Sequence, residues 1–122
     1  MTSFGARLDA ALDARGSTCV GIDPHPYLLK EWGLLDDATG LRAFGTTVID
    51  AVQGQVGIVK PQVAFFERHG AAGFAALEDV LASARDAGLL VIADAKQGDV
   101  GSTAQAYGEA WLTPGSPLEA DA

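Results

Sequence analysis

Three short apolar runs recur along this chain, and each ends in a charged residue. Residues 18–22 (TCVGI) run into Asp23, residues 56–59 (VGIV) into Lys60, and the run that includes Val91 and Ile92 into Asp94. Between them lie two segments of helical period, with Leu41, Phe44, Val48 and Val52 in the first and Phe74, Leu77, Leu81 and Ala84 in the second. The order predicts βαβαβ, and crossovers of this kind are right-handed and make the strands parallel. Parallel α/β folds carry their chemistry at the carboxyl ends of the strands. Asp23, Lys60, Asp94 and Lys96 are therefore expected at one end of one sheet.

The strands start near residues 18, 56 and 89, so each βα unit takes about 35 residues, a spacing suited to a (β/α)8 TIM barrel of roughly 250 residues. The fold class expected is α/β, with residues 1–122 forming a single unit: the amino-terminal half of such a barrel, about its first three βα units, with the site on the C-terminal face. Ser102 to Trp111 has the character of a third helix, capped by Ser102 or Thr103. It ends at the turn signal Thr113-Pro114-Gly115, and LEADA at residues 118–122 is where a fourth strand would start. A half barrel keeps open sheet edges and leaves apolar helix faces uncovered. The missing half is expected from a longer natural polypeptide or from a second chain.

Residues 91–103, VIADAKQGDVGST, hold the densest chemistry. In a strand, side chains at i and i+2 project to the same face, so Asp94 and Lys96 are expected to emerge together at the strand's end. The net charge of -8 argues against nucleic acid, which requires clustered Lys and Arg. Attraction for an anionic ligand must come from a few placed cations, and Lys60 and Lys96 are the candidates. No run approaches the ~20 apolar residues that span a bilayer. The opening residues read as an amphipathic helix, with Phe4, Leu8, Ala11 and Leu12 on one face, and lack the apolar core of a signal peptide. The single Cys19 lies inside an apolar run and is expected to be a buried core thiol, and a cytoplasmic, reducing setting follows as the default.

Asp23 in GIDPHP, Lys60 in VKPQ, and Asp94, Lys96 and Asp99 in DAKQGDVGST together make a pattern that resembles the orotidine 5'-phosphate decarboxylase family. The similarity runs over essentially the whole chain. With FFERHG after the second strand it looks like the bacterial branch of larger enzymes, although Gln97 stands where that branch often has Arg and Val100 where Ile is common. The resemblance implies a homodimeric lyase, free of cofactor and metal, that converts orotidine 5'-monophosphate to uridine 5'-monophosphate in pyrimidine biosynthesis. It implies that Asp94 sits against the substrate carboxylate and Lys96 protonates C6 of the pyrimidine. Lys60 would bridge the ribose and the charge network, Asp23 would bind a ribose hydroxyl, and Asp99 and Thr103 would reach into the partner subunit's site.

Two other readings compete. Magnesium-dependent sugar-phosphate aldolases or decarboxylases of the same superfamily share Asp-x-Lys-x-x-Asp but place an acidic metal ligand near the end of the second strand. Here Lys60 stands there, and a cation opposes a divalent metal. In a non-catalytic assembly module, Asp94, Lys96 and Asp99 would serve only assembly. His25 and His69 lack metal-ligand spacing and suit loop or packing roles, and Phe65 and Phe66 suit the core or an interface. Ser102 has no nearby His base, and Gly98, Gly101 and Gly108 do not form a phosphate-binding fingerprint. Barrels of this kind hold phosphate on loops after their seventh and eighth strands, so the fragment alone is expected to be inactive.

Overall fold

A computed structural model describes residues 2–122. Helix α1 (Phe4–Arg15) is followed by strand β1 (Cys19–Ile22), helices α2 (Pro26–Glu31) and α3 (Ala38–Val52), and strand β2 (Ile58–Pro61). Helices α4 (Ala64–Glu67) and α5 (Gly70–Asp86), strand β3 (Leu90–Val91) and helix α6 (Gly101–Leu112) complete the order. The strands form one parallel sheet in the sequence β1-β2-β3, with Gly21 opposite Lys60 and Ile58 opposite Leu90. This is the open, sequentially ordered parallel sheet of a partial (β/α)8 barrel.

Alternation along the strands sorts the sheet into two faces. Val59 and Val91 pair across it and are fully buried, as is Ile22, beneath Leu41, Phe44 and Ile49 of α3 and Leu77, Val80, Leu81 and Ala84 of α5. Each such large apolar side chain contributes roughly 1.5–3 kcal/mol when removed from water, so this layer anchors the helices to the sheet. α3 and α5 approach closely where Gly45 lies against Val80, since a Cβ at Gly45 would stand 2.6 Å from a Val80 methyl. Arg42 and Asp79 tie the same helices at 2.6 Å.

The opposite face carries Cys19 and Gly21 of β1, Ile58 and Lys60 of β2, and Leu90 of β3. Cys19 is exposed, contrary to the expectation of a buried thiol. It sits on the edge strand and on the face turned away from α3 and α5, so its apolar neighbours in sequence do not cover it. Phe4 is likewise 38% exposed; Leu8, Ala11 and Leu12 are half-buried, where α1 meets the starts of β2 and β3.

The second strand lies two residues later than its apolar run suggests, so Lys60 is within it. The third is shorter than expected: its regular pairing ends at Val91, and the ladder resumes only as a single bridge between Gln62 and Asp94. On the other side of β3, Ala122 N–H donates to Val91 O and Ala93 N–H donates to Ala122 O, at 3.2 and 2.7 Å. That is parallel pairing where a fourth strand was expected to start. The third helix has the expected span within a residue at each end, but Val100 is its N-cap and no side chain caps it. Among the described residues no helix is long and apolar enough to cross a membrane.

Candidate active site

The two-residue period of the sheet places Asp23, Gln62 and Asp94 one step beyond the Gly21–Lys60 pair, on the face away from the helices. Asp23 follows β1 directly, and its carboxylate folds back over Gly21: a Cβ there would lie 2.7 Å from Asp23 Oδ1. Glycine at residue 21 thus leaves the space that Asp23 uses.

Asp94 is the centre of the site. Its Oδ1 accepts a hydrogen bond from Lys96 Nζ at 2.6 Å, and its Oδ2 lies 3.5 Å from Lys60 Nζ. Gln62 closes the array, donating from Nε2 to Asp94 Oδ2 at 3.3 Å and accepting from Lys96 Nζ at Oε1, 2.9 Å away. The Lys96 hydrogen bond, reinforced by the charges of Lys96 and Lys60, holds the Asp94 carboxyl below its ordinary value of 3.8 against partial desolvation. Opposite unit charges at 4 Å are worth ~4 kcal/mol at an effective dielectric of 20. Solvent reduces that here, because the Lys96 side chain is 66% exposed. Two ammonium groups around one carboxylate give this array a net positive charge.

Asp94 and Lys96 meet as expected, but not as i and i+2 of a strand. Ala95 N–H donates to Ala93 O at 2.9 Å, and Lys96 adopts φ 54°, so the chain turns sharply after Asp94. Lys96 is the only non-glycine with positive φ among the described residues. A left-handed lysine costs about 1–3 kcal/mol and persists only where its surroundings hold it. Gln97 supplies part of that hold, accepting at Oε1 from Trp111 Nε1 of α6 at 2.9 Å.

Asp23 and Asp99 join no ion pair with this array among the described residues; Asp99 instead accepts from Val100 N–H at 2.7 Å. Thr103 is exposed on the first turn of α6. Lys96, Asp99, Tyr107 and Trp111 line an open cleft of about 330 Å³ between the loop and α6. A larger cleft of about 470 Å³ lies at the other end of the sheet beneath α1, where Arg7 is paired with Asp121. It holds no such charged array.

Gln62 is the participant that sequence reasoning missed, although its place two residues after Lys60 on a strand signals the shared face. His25 packs against Tyr27 and Phe65, with ring centroids 5.1 and 4.3 Å apart, and Phe66 is in the core. His69 Nε2 lies 3.0 Å from Asp36 Oδ1, which also pairs with Arg68. Among the described residues no group of His, Cys, Asp and Glu is arranged to hold a metal ion.

Comparison with known proteins points to one family. Residues 17–121 match the model of the family described as orotidine 5'-phosphate decarboxylase / HUMPS. The orotidine 5'-phosphate decarboxylases of Nocardioides sp. and Streptomyces coelicolor are 56% and 55% identical over 122 residues, all of this chain but 45% and 44% of their own lengths. A crystal structure of a Streptomyces avermitilis protein put forward as an orotidine 5'-phosphate decarboxylase superposes with a TM-score of 0.93 at 55% identity, covering 98% of this chain and 42% of that one. Leishmania donovani OMP decarboxylase superposes with a TM-score of 0.74 at 33% identity, covering 89% of this chain and 40% of that one. The chain thus spans less than half the length of these relatives.

Proposed function

The chain belongs to the orotidine 5'-phosphate decarboxylase / HUMPS family, and from that premise we propose that it carries the reacting-end residues of a decarboxylase that converts orotidine 5'-monophosphate to uridine 5'-monophosphate. The observation that carries this reading is the Asp94 carboxylate set between the ammonium groups of Lys96 and Lys60, at 2.6 and 3.5 Å.

Loss of CO2 from the pyrimidine breaks the bond between C6 and the carboxyl carbon and leaves the electron pair on C6. No ring position delocalises that carbanion well, so a fixed cation beside the carbon is the chemistry the reaction needs. Lys96 supplies it, already oriented by Asp94 and Gln62, and a preorganised charge acts without reorganisation at the moment of reaction. A proton from Lys96 Nζ then closes the valence at C6, and the amine regains a proton from solvent. Asp94, held ionised, lies against the substrate carboxylate and repels it until CO2 leaves, an effect secondary to the lysine. Lys60 keeps Asp94 charged and reaches the ribose, and Asp23 accepts from a ribose hydroxyl.

In this reading the enzyme is a cytoplasmic homodimer in which Asp99 and Thr103, both exposed, extend into the partner's site. Residues 1–122 act as one unit, and the loops that grip the phosphate come from the remainder of the barrel. Remote binding energy of that kind is used to lower the barrier at the reacting centre.

Lys60 separates this reading from a metal-dependent one, because its ammonium stands beside Asp94 where a divalent cation would need a ligand. The test is turnover by the protein at its natural length. Orotidine 5'-monophosphate is expected to yield uridine 5'-monophosphate and CO2, at a rate unchanged by EDTA. Absence of turnover refutes the reading, and a rate abolished by EDTA and restored by magnesium favours the metal-dependent class.

A further inference from the structure

Asp94 only accepts hydrogen bonds and the Lys96 ammonium only donates them, so a neutral side chain that touches both must both donate and accept. Gln62 does so, with Nε2 on Asp94 Oδ2 at 3.3 Å and Oε1 on Lys96 Nζ at 2.9 Å. Its amide orientation follows from the chemistry of its partners, since the reverse would face N–H toward ammonium and carbonyl toward carboxylate. The backbone reinforces the placement: Gln62 N–H donates to Ile22 O at 3.1 Å, and Val63 N–H to Asp94 O at 3.2 Å. Gln62 is thus fixed to β1 on one side and to the segment bearing Asp94 on the other.

Lys96 needs such a hold. It is 66% exposed on a loop after the sheet's regular pairing has ended, with four rotatable bonds and a left-handed backbone. Asp94 alone gives it one point of attachment, about which the ammonium can swing. A second acceptor on the neighbouring strand fixes its direction as well as its distance.

We propose that Gln62 is a positioning residue, which fixes the Lys96 ammonium over Asp94 without adding charge to the site. The consequence for catalysis rests on the decarboxylase reading; the geometric role does not. A carboxylate at this position would also accept from Lys96 but would face Asp94 with a like charge, whereas an apolar side chain of similar size would leave Lys96 on Asp94 alone. The amide is what satisfies both partners.

Two readouts on the protein at its natural length test this, using Gln62→Met and Gln62→Glu. The first is proton exchange of the Lys96 ammonium, followed by NMR with labelled lysine and assigned by its loss in Lys96→Ala. Gln62→Met is expected to speed that exchange severalfold or more while leaving Lys60 unchanged, and Gln62→Glu, which keeps an acceptor, to restore slow exchange. The second is steady-state turnover, where Gln62→Met is expected to lower kcat about tenfold with KM nearly unchanged, as for a misplaced catalytic group. Unchanged Lys96 exchange in Gln62→Met overturns the proposal, and altered exchange with unaltered kcat overturns its consequence for catalysis. If the unsubstituted protein shows no turnover, the decarboxylase reading fails by itself; altered exchange in Gln62→Met then still supports the geometric role.

Discussion

At Asp94 the electrostatics of the site can be read from one titration. Its carboxyl is held below 3.8 chiefly by the hydrogen bond from Lys96, with Lys60 adding to it. A carboxyl depressed in the folded state contributes stability that is present above its unfolded value and is lost as pH falls through the folded one. The pairing is therefore intact from neutral pH down to that range and released only in stronger acid. Lys96→Ala is expected to move the Asp94 titration upward, and Lys60→Ala to move it upward by less. Carboxyl carbon NMR checks this, and an unmoved titration in Lys96→Ala contradicts the assigned cause. Gly21→Ala tests the other carboxylate. A Cβ there meets only the mobile end of Asp23, so stability is expected to change by less than about 1 kcal/mol. Substrate KM is expected to rise if Asp23 binds the ribose as proposed, and an unchanged KM counts against that role.

At the scale of elements, the runs ending in Asp23, Lys60 and Asp94 were enough to locate the strands, because alternation of apolar strand and helical period is a local property. What lay outside that reach depended on neighbours in space. Cys19 is exposed because of which face and which strand it occupies, and neither can be read from TCVGI alone. Lys96 lies on a loop beyond β3 with a left-handed backbone that an unbroken strand pattern at VIADAK conceals. Gln62 belongs to the site because β2 carries it toward Asp94, and Gln97 gains its role from Trp111, fourteen residues further on. Trp111→Phe keeps most of the packing and removes one donor, so it is expected to cost about 1 kcal/mol and to speed amide exchange over residues 97–100. Exchange confined to α6 would show that the Gln97 bond does not hold the loop. Gly45→Val, placed against Val80, is expected to destabilise by roughly 1–3 kcal/mol through overpacking. Thermal unfolding measures it, and an unchanged midpoint would contradict the close approach of α3 and α5.

At the scale of the molecule, three parallel strands with a fourth segment pairing beside Val91 form an open sheet whose inner face bears the charges. Large apolar side chains remain on the surface, with Leu35 69% and Val100 81% exposed. The relatives are more than twice as long, and the proposed division of labour takes the phosphate grip from the rest of a barrel. The 122-residue chain by itself is accordingly expected to show negligible turnover, and measurable activity from it would contradict the division of labour proposed here. Intact mass and light scattering on the natural protein report its length and its oligomeric state.

Lys96, aimed by its neighbours, is proposed to supply the charge and the proton for loss of CO2. The most direct test is the turnover of orotidine 5'-monophosphate by the natural-length protein beside Lys96→Ala, with circular dichroism and melting on the same samples. The expected result is a fall in kcat of more than about 100-fold with the fold retained. A folded Lys96→Ala variant that turns over at the unsubstituted rate would contradict that role.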